Sequence, residues 1–146
     1  MIRTTIMLLF LFATLATPAS AQSIATDGML YAAVEVADEW WVEQGQTTCK
    51  GRLIDFTESG RVLARAEMPG CDIWFERSYV KRVRSAIAKP QHRRYRRPWY
   101  EELCMVAIHE RGHNLGLGHS PGIMAATIGE HAVVGKCRAW AVSVTT

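Results

Sequence analysis

The stretch His109-Glu110-Arg111-Gly112-His113-Asn114-Leu115-Gly116-Leu117-Gly118-His119-Ser120-Pro121-Gly122-Ile123-Met124 constrains this chain more than any other part of it. His109 and His113 are four residues apart. On a helix that spacing sets two imidazoles on one face, about 5–6 Å apart at Cβ, where they can share one metal ion. Glu110 is offset around the helix from both, so its carboxylate can reach a water at the metal without displacing a ligand, the station of a general base. Gly116 suits the left-handed backbone of a helix stop, and the reversing chain can deliver His119 as a third nitrogen ligand. Three protein ligands leave a fourth position open, as in catalytic rather than structural zinc sites. The other reading of the same histidines is a surface cluster or a structural metal clip; it gives no reason for Glu110 and Gly116 to be in register.

Around this motif the periodicity predicts an α+β domain. Leu30, Ala33, Val34, Ala37, Trp40 and Trp41 recur at helical spacing after a candidate cap at Asp27, and Gly45 stops the run. Arg52–Phe56, Arg61–Glu67 and Cys71–Glu76 read as short strands, separated by Glu58-Ser59-Gly60 and by Pro69-Gly70. Pro98 is the expected first residue of the motif helix, with Glu101 and Glu102 suited to its positive first turn. Leu103–Ile108 are apolar around most of the circumference, so this helix is expected to be central and buried. Thr127-x-x-Glu130 has the form of a capping box, and Ile128, Val133, Val134, Cys137, Trp140 and Ala141 continue at helical spacing into a closing helix.

His109–His119 match H-E-x-x-H-x-x-G-x-x-H at all five fixed positions, and a methionine follows. The chain thereby resembles the metzincin zinc peptidases. Ser120 after the third histidine and Gly112 within the helix make it similar to the matrixin branch, and the element order resembles a reduced metzincin catalytic domain. Asp72-Ile73-Trp74-Phe75 resembles the matrixin edge strand, which would pair with an extended peptide and thread it across the zinc. The resemblance implies a polypeptide substrate, one catalytic zinc on His109, His113 and His119, and Met124 in a Met-turn. Met124 follows His119 by only five residues and no Tyr-Pro comes after it. Either a compressed turn sets Met124 beneath the metal, or Met124 is a core residue. The stretch from Phe75 to Trp99 lacks the Asp- and His-rich loops that hold extra ions in matrixins, so no calcium is expected.

Residues 1–21 resemble a secretory signal peptide: Arg3, an apolar run from Ile6 to Ala16 too short for a bilayer of about 30 Å, and Ala19-Ser20-Ala21 for cleavage. Residues 22–146 would then form one catalytic domain, secreted or periplasmic, without a stable membrane anchor and expected to be a monomer. In an exported chain the four cysteines, Cys49, Cys71, Cys104 and Cys137, favour disulfides, with zinc ligation the rival use. Of the three possible pairings, Cys49–Cys71 with Cys104–Cys137 is the expectation adopted. It staples the opening segment to a strand and the motif helix to the closing helix.

The net charge of +3 excludes little, but nine lysines and arginines lie between Arg77 and Arg97 without one acid. That block reads as a solvated loop, or as a docking site for an anionic surface with Tyr95 and Trp99 available for stacking. No specific nucleic-acid motif is present. Two functions are therefore open: a zinc-dependent endopeptidase with Glu110 as base and then acid, or an exported, non-catalytic zinc module that docks anionic surfaces through Arg77–Arg97.

Overall fold

The computed structural model describes residues 28–57, 62–88, 93–127 and 134–146, with backbone alone for 93–97. The leader, the Asp27 cap, the turn at 58–60, Tyr95, and Ile128, Glu130 and Val133 of the expected closing segment lie outside the described residues or side chains. Among the described residues, four helices and a three-stranded mixed sheet form the expected α+β domain. Among the described residues no helix is long and apolar enough to cross a membrane.

Helix α1, Gly28–Glu43, buries Leu30, Ala33, Val34, Ala37 and Trp41, the stripe its periodicity predicts. It stops at Gly45, whose φ of +78° favours glycine. Trp41 turns its indole inward, and its Nε1–H donates to the Ile108 carbonyl at 2.9 Å, pinning α1 to the motif helix.

The strands are shorter than expected: β1 Leu53–Phe56, β2 Ala64–Ala66 and β3 Ile73–Glu76. Their order is β1-β3-β2, with β1 parallel and β2 antiparallel to β3. This corrects the expectation for Asp72-Ile73-Trp74-Phe75. That segment runs into the central strand, paired on both sides, and offers no free edge to a peptide; the edges of the described sheet are β1 and β2. Close approach of the backbones makes the parallel pairing possible. A Cβ on Gly51 would lie 1.9 Å from the Cys71 carbonyl oxygen, so only glycine lets Arg52 dock beside Asp72. There the Arg52 N–H donates to Asp72 Oδ1 at 2.7 Å and the Ile73 N–H to the Arg52 carbonyl at 3.0 Å. Leu53, Ala64, Ile73 and Phe75 form the inner face, packed against the helices.

The described parts of the basic block are helical, not a loop. Arg77–Ala88 form α2, and the next helix, α3, begins at Arg93, five residues before Pro98, which lies inside it. Charge obscured the periodicity: Tyr79, Val80 and Val83 are buried while Arg77, Lys81, Arg82 and Arg84 face outward. The Glu76 carboxylate caps α2, accepting hydrogen bonds from the Ser78 hydroxyl and, at 2.7 Å, from the Tyr79 N–H. Burial alone would raise the Glu76 pKa, but these donors outweigh it and hold it below the usual range.

Helix α3, Arg93–Asn114, spans 22 residues, about 33 Å, through the middle of the domain. Leu103–Arg111 are all buried, and α1, α2, α4 and β2 pack around them. Helix α4, Gly135–Ser143, starts eight residues after Thr127 and buries Cys137 and Ala141. Both expected disulfides form, Cys49–Cys71 with Cα atoms 5.7 Å apart and Cys104–Cys137 with 5.5 Å.

Candidate metal centre and adjoining cleft

Helix α3 ends in a turn that its glycines require. Gly116 has φ +84°, its N–H donates to the His113 carbonyl at 2.9 Å, and the Leu117 N–H reaches the Gly112 carbonyl at 3.0 Å. This pair of bonds is a Schellman stop, and the reversed chain brings His119 back to the helix. The Nε2 atoms of His109 and His113 are 3.0 Å apart, and those of His113 and His119 3.2 Å. One ligand atom from each of the three residues falls within a 4.8 Å cluster.

Tautomers follow from the partners of the other ring nitrogens. His109 Nδ1 lies 2.9 Å from the Ile123 carbonyl oxygen and His113 Nδ1 2.7 Å from that of Leu117. A carbonyl only accepts, so both Nδ1 atoms carry the proton in the neutral rings, and both Nε2 lone pairs point at the shared space. Converging lone pairs repel unless a cation joins them. Tetrahedral zinc with Zn–N near 2.0–2.1 Å sets ligand nitrogens about 3.3 Å apart, so the donor set fits that ion.

Glu110 is 7% exposed. Burial pushes its carboxyl up to about 7, and a hydrogen bond from the Ala66 backbone N–H offsets only part of that rise. Behind the ligands, a Cβ on Gly112 would lie 2.4 Å from Met124 Sδ and 2.9 Å from Trp41 Cζ2. The helix between His109 and His113 is therefore bare because Met124 and Trp41 occupy the space. Met124 is 4% exposed and belongs to the core cluster, reached by a compressed turn in which the Ser120 N–H donates to the Met124 carbonyl at 3.0 Å.

A cleft of about 670 Å³ opens beside the histidines. Leu63, Ala64, Ala66 and Met68 wall one side, Val106 and Glu110 line the helix side, and Ala125–Thr127 close the end. The structure thus brings together His109, Glu110, His113 and His119, with Met124 packed at Gly112 between two of the histidines on the helix. Of the basic block, the described cations Arg77, Lys81, Arg82 and Arg84 take no part in the cleft lining.

Sequence reasoning missed three contributors. The cleft wall comes from β2, not from the Asp72–Phe75 segment that resembles an edge strand. Arg111 and Asn114 lie inside the motif, yet both point away from the histidines. Arg111 is 2% exposed. Its Nε–H donates to Asp38 on α1 at 2.6 Å and its Nη1–H to the Cys71 carbonyl at 2.9 Å. A charge amid ligands on a helix otherwise expected to be buried was the signal, because such a charge needs a partner.

Among known protein families, the one described as Matrixin matches residues 37–134 of the chain. No curated protein and no solved structure matches the chain.

Proposed function

This chain belongs to the matrixin family, and from that premise we propose that it is a secreted zinc metalloendopeptidase with Glu110 as its general base and acid. The observation that carries the reading is the convergence of two tautomer-fixed imidazoles and His119 beside a buried carboxylate, at the mouth of an apolar cleft. His109, His113 and His119 would hold one zinc ion, and calcium is not required by any step. Bound there, zinc supplies the Lewis acidity that activates water and polarises a carbonyl.

The chain's own groups account for the rest. Glu110, made a better proton acceptor by burial, takes the proton of the attacking water and returns it to the leaving amine, serving as base and then acid. Backbone carbonyls of Ile123 and Leu117 hold two ligand rings in orientation and tautomer, so no ring must turn during turnover. Met124, packed against Gly112, forms the floor behind the ligands. An extended peptide would lie along β2, the edge strand that lines the cleft, and drop an apolar side chain between Leu63 and Val106. Export is supported by the leader-like residues 1–21 and by two disulfides.

The test is Glu110→Gln. The variant is expected to retain zinc at the wild-type ratio, read by elemental analysis, and to lose cleavage of casein or a peptide library. His113→Ala is expected to lose both. Undiminished cleavage by Glu110→Gln, or a purified wild-type protein that binds no zinc, would refute the proposal.

A further inference from the structure

The geometry points to Arg111 and Asn114 as positioning residues that clamp the substrate-side hairpin, β2 and the turn after it, onto the metal-ligand helix. The inference deepens the peptidase reading and rests on it for the part that concerns substrate.

Strand β2 is three residues long and, among the described strands, pairs with β3 alone, so its own ladder holds it weakly. What fixes its height above the histidines comes from α3. At 100° per residue, Glu110 and Asn114 lie 40° apart on one side of the helix, and Arg111 lies beyond them, away from His109 and His113. Glu110 receives the Ala66 N–H. One turn on, Asn114 Nδ2 donates to the carbonyl of the very next residue, Glu67, at 3.0 Å, and approaches those of Gly70 at 3.0 Å and Asp72 at 3.3 Å. Two side chains four apart thus grip adjacent residues of the hairpin.

Arg111 makes that grip rigid. Its Nη1–H donates to Asn114 Oδ1 at 3.1 Å, which orients the amide so that Nδ2 faces the carbonyls, and also to the Cys71 carbonyl at 2.9 Å. Asp38 on α1 holds the guanidinium from the other side at 2.6 Å. The motif helix therefore carries two sets of groups in one window, one facing the metal and one facing the hairpin. The spacing between the cleft wall and Glu110 is set within a single rigid body.

Loosening the Asn114 half of the clamp should cost peptide affinity and leave the chemistry nearly unchanged, because Asn114 touches neither the histidines nor Glu110 and its bonds run to the turn after β2. In Asn114→Ala, zinc content is expected to stay at the wild-type ratio. Amide hydrogen exchange is expected to rise across residues 64–72 and stay unchanged in α1 and in 103–110. The KM for an extended peptide should rise by roughly tenfold with kcat within about twofold, the signature of lost uniform binding. Asp38→Asn, which frees Arg111 from α1, should shift both readouts in the same direction, and serves if Asn114→Ala does not fold. Unchanged exchange across 64–72, or a fall in kcat with KM unmoved, overturns the clamp. The exchange measurement needs no turnover. A wild-type protein that cleaves nothing therefore sinks the peptidase reading, while exchange still decides whether the hairpin is clamped.

Discussion

Gly112 sets two opposing effects against each other within one residue. Alanine would gain about 1 kcal/mol of helix propensity. Its Cβ would meet Met124 Sδ at 2.4 Å and Trp41 Cζ2 at 2.9 Å, and overpacking of this kind costs about 1–3 kcal/mol. The thioether can swing aside, but the indole is tied by its bond to the Ile108 carbonyl, so the clash wins. Gly112→Ala is expected to lower the melting temperature, and adding Met124→Ala should not recover it fully because Trp41 remains. A second residue-scale expectation concerns acid. Side-chain hydrogen bonds from Arg52, then its backbone N–H, lower the Asp72 pKa. A group with a depressed folded pKa contributes stability that is present above its unfolded value, near 3.9, and lost as pH falls through the folded one. Wild type is expected to exceed Asp72→Asn in stability near pH 6, with the gap closing as pH falls below about 4; thermal melts across that range check it.

At the scale of elements, the sequence disclosed helices with uninterrupted apolar stripes and hid those whose stripe is thin. Helix α1 and the buried run of α3 were legible because Leu30–Trp41 and Leu103–Ile108 repeat cleanly. Helix α2 was not, since three buried residues are embedded among cations and its cap, Glu76, lies at the end of a strand. Pro98 misled in the opposite sense, marking a start where the helix already runs. Strand order was illegible because adjacency depends on partners far apart in the chain: the parallel pairing of β1 with β3 turns on one glycine, Gly51. The histidine spacing fixed the metal-ligand candidates because i, i+4 geometry is local, whereas the cleft wall depended on that sheet order. Removing the cap by Glu76→Ala is expected to cost about 0.5–2 kcal/mol, read by chemical denaturation, with the loss concentrated in α2 by hydrogen exchange.

For the whole molecule, stability and the site converge on α3. One disulfide joins Cys104 in it to α4, and the other lies against Arg111, whose Nη1 is 3.9 Å from Cys49 Sγ. In the chain-entropy picture, closing a loop of 33 residues is worth about 3–4 kcal/mol. The Cys104→Ala/Cys137→Ala double variant is expected to lose an amount of that order in denaturant titration, a large share of a small domain's total. Chelation should act globally as well, since a ligand bound only by the native fold stabilises it, by about 4 kcal/mol at a thousandfold excess over its Kd. A melting temperature unmoved by chelator would count against His119 being drawn into a shared site with the helix.

The open side of β2 carries one more consequence. A strand edge able to accept a peptide is also a template on which other copies of the chain can pile up, and cross-β stacking draws on segments of six or seven residues. Ala64–Ala66 is half that length, and its last outward amide is already held by Glu110. Brevity thus limits stacking on this margin while leaving room beside the cleft: three residues are too few to template the longer segments from which cross-β assemblies grow.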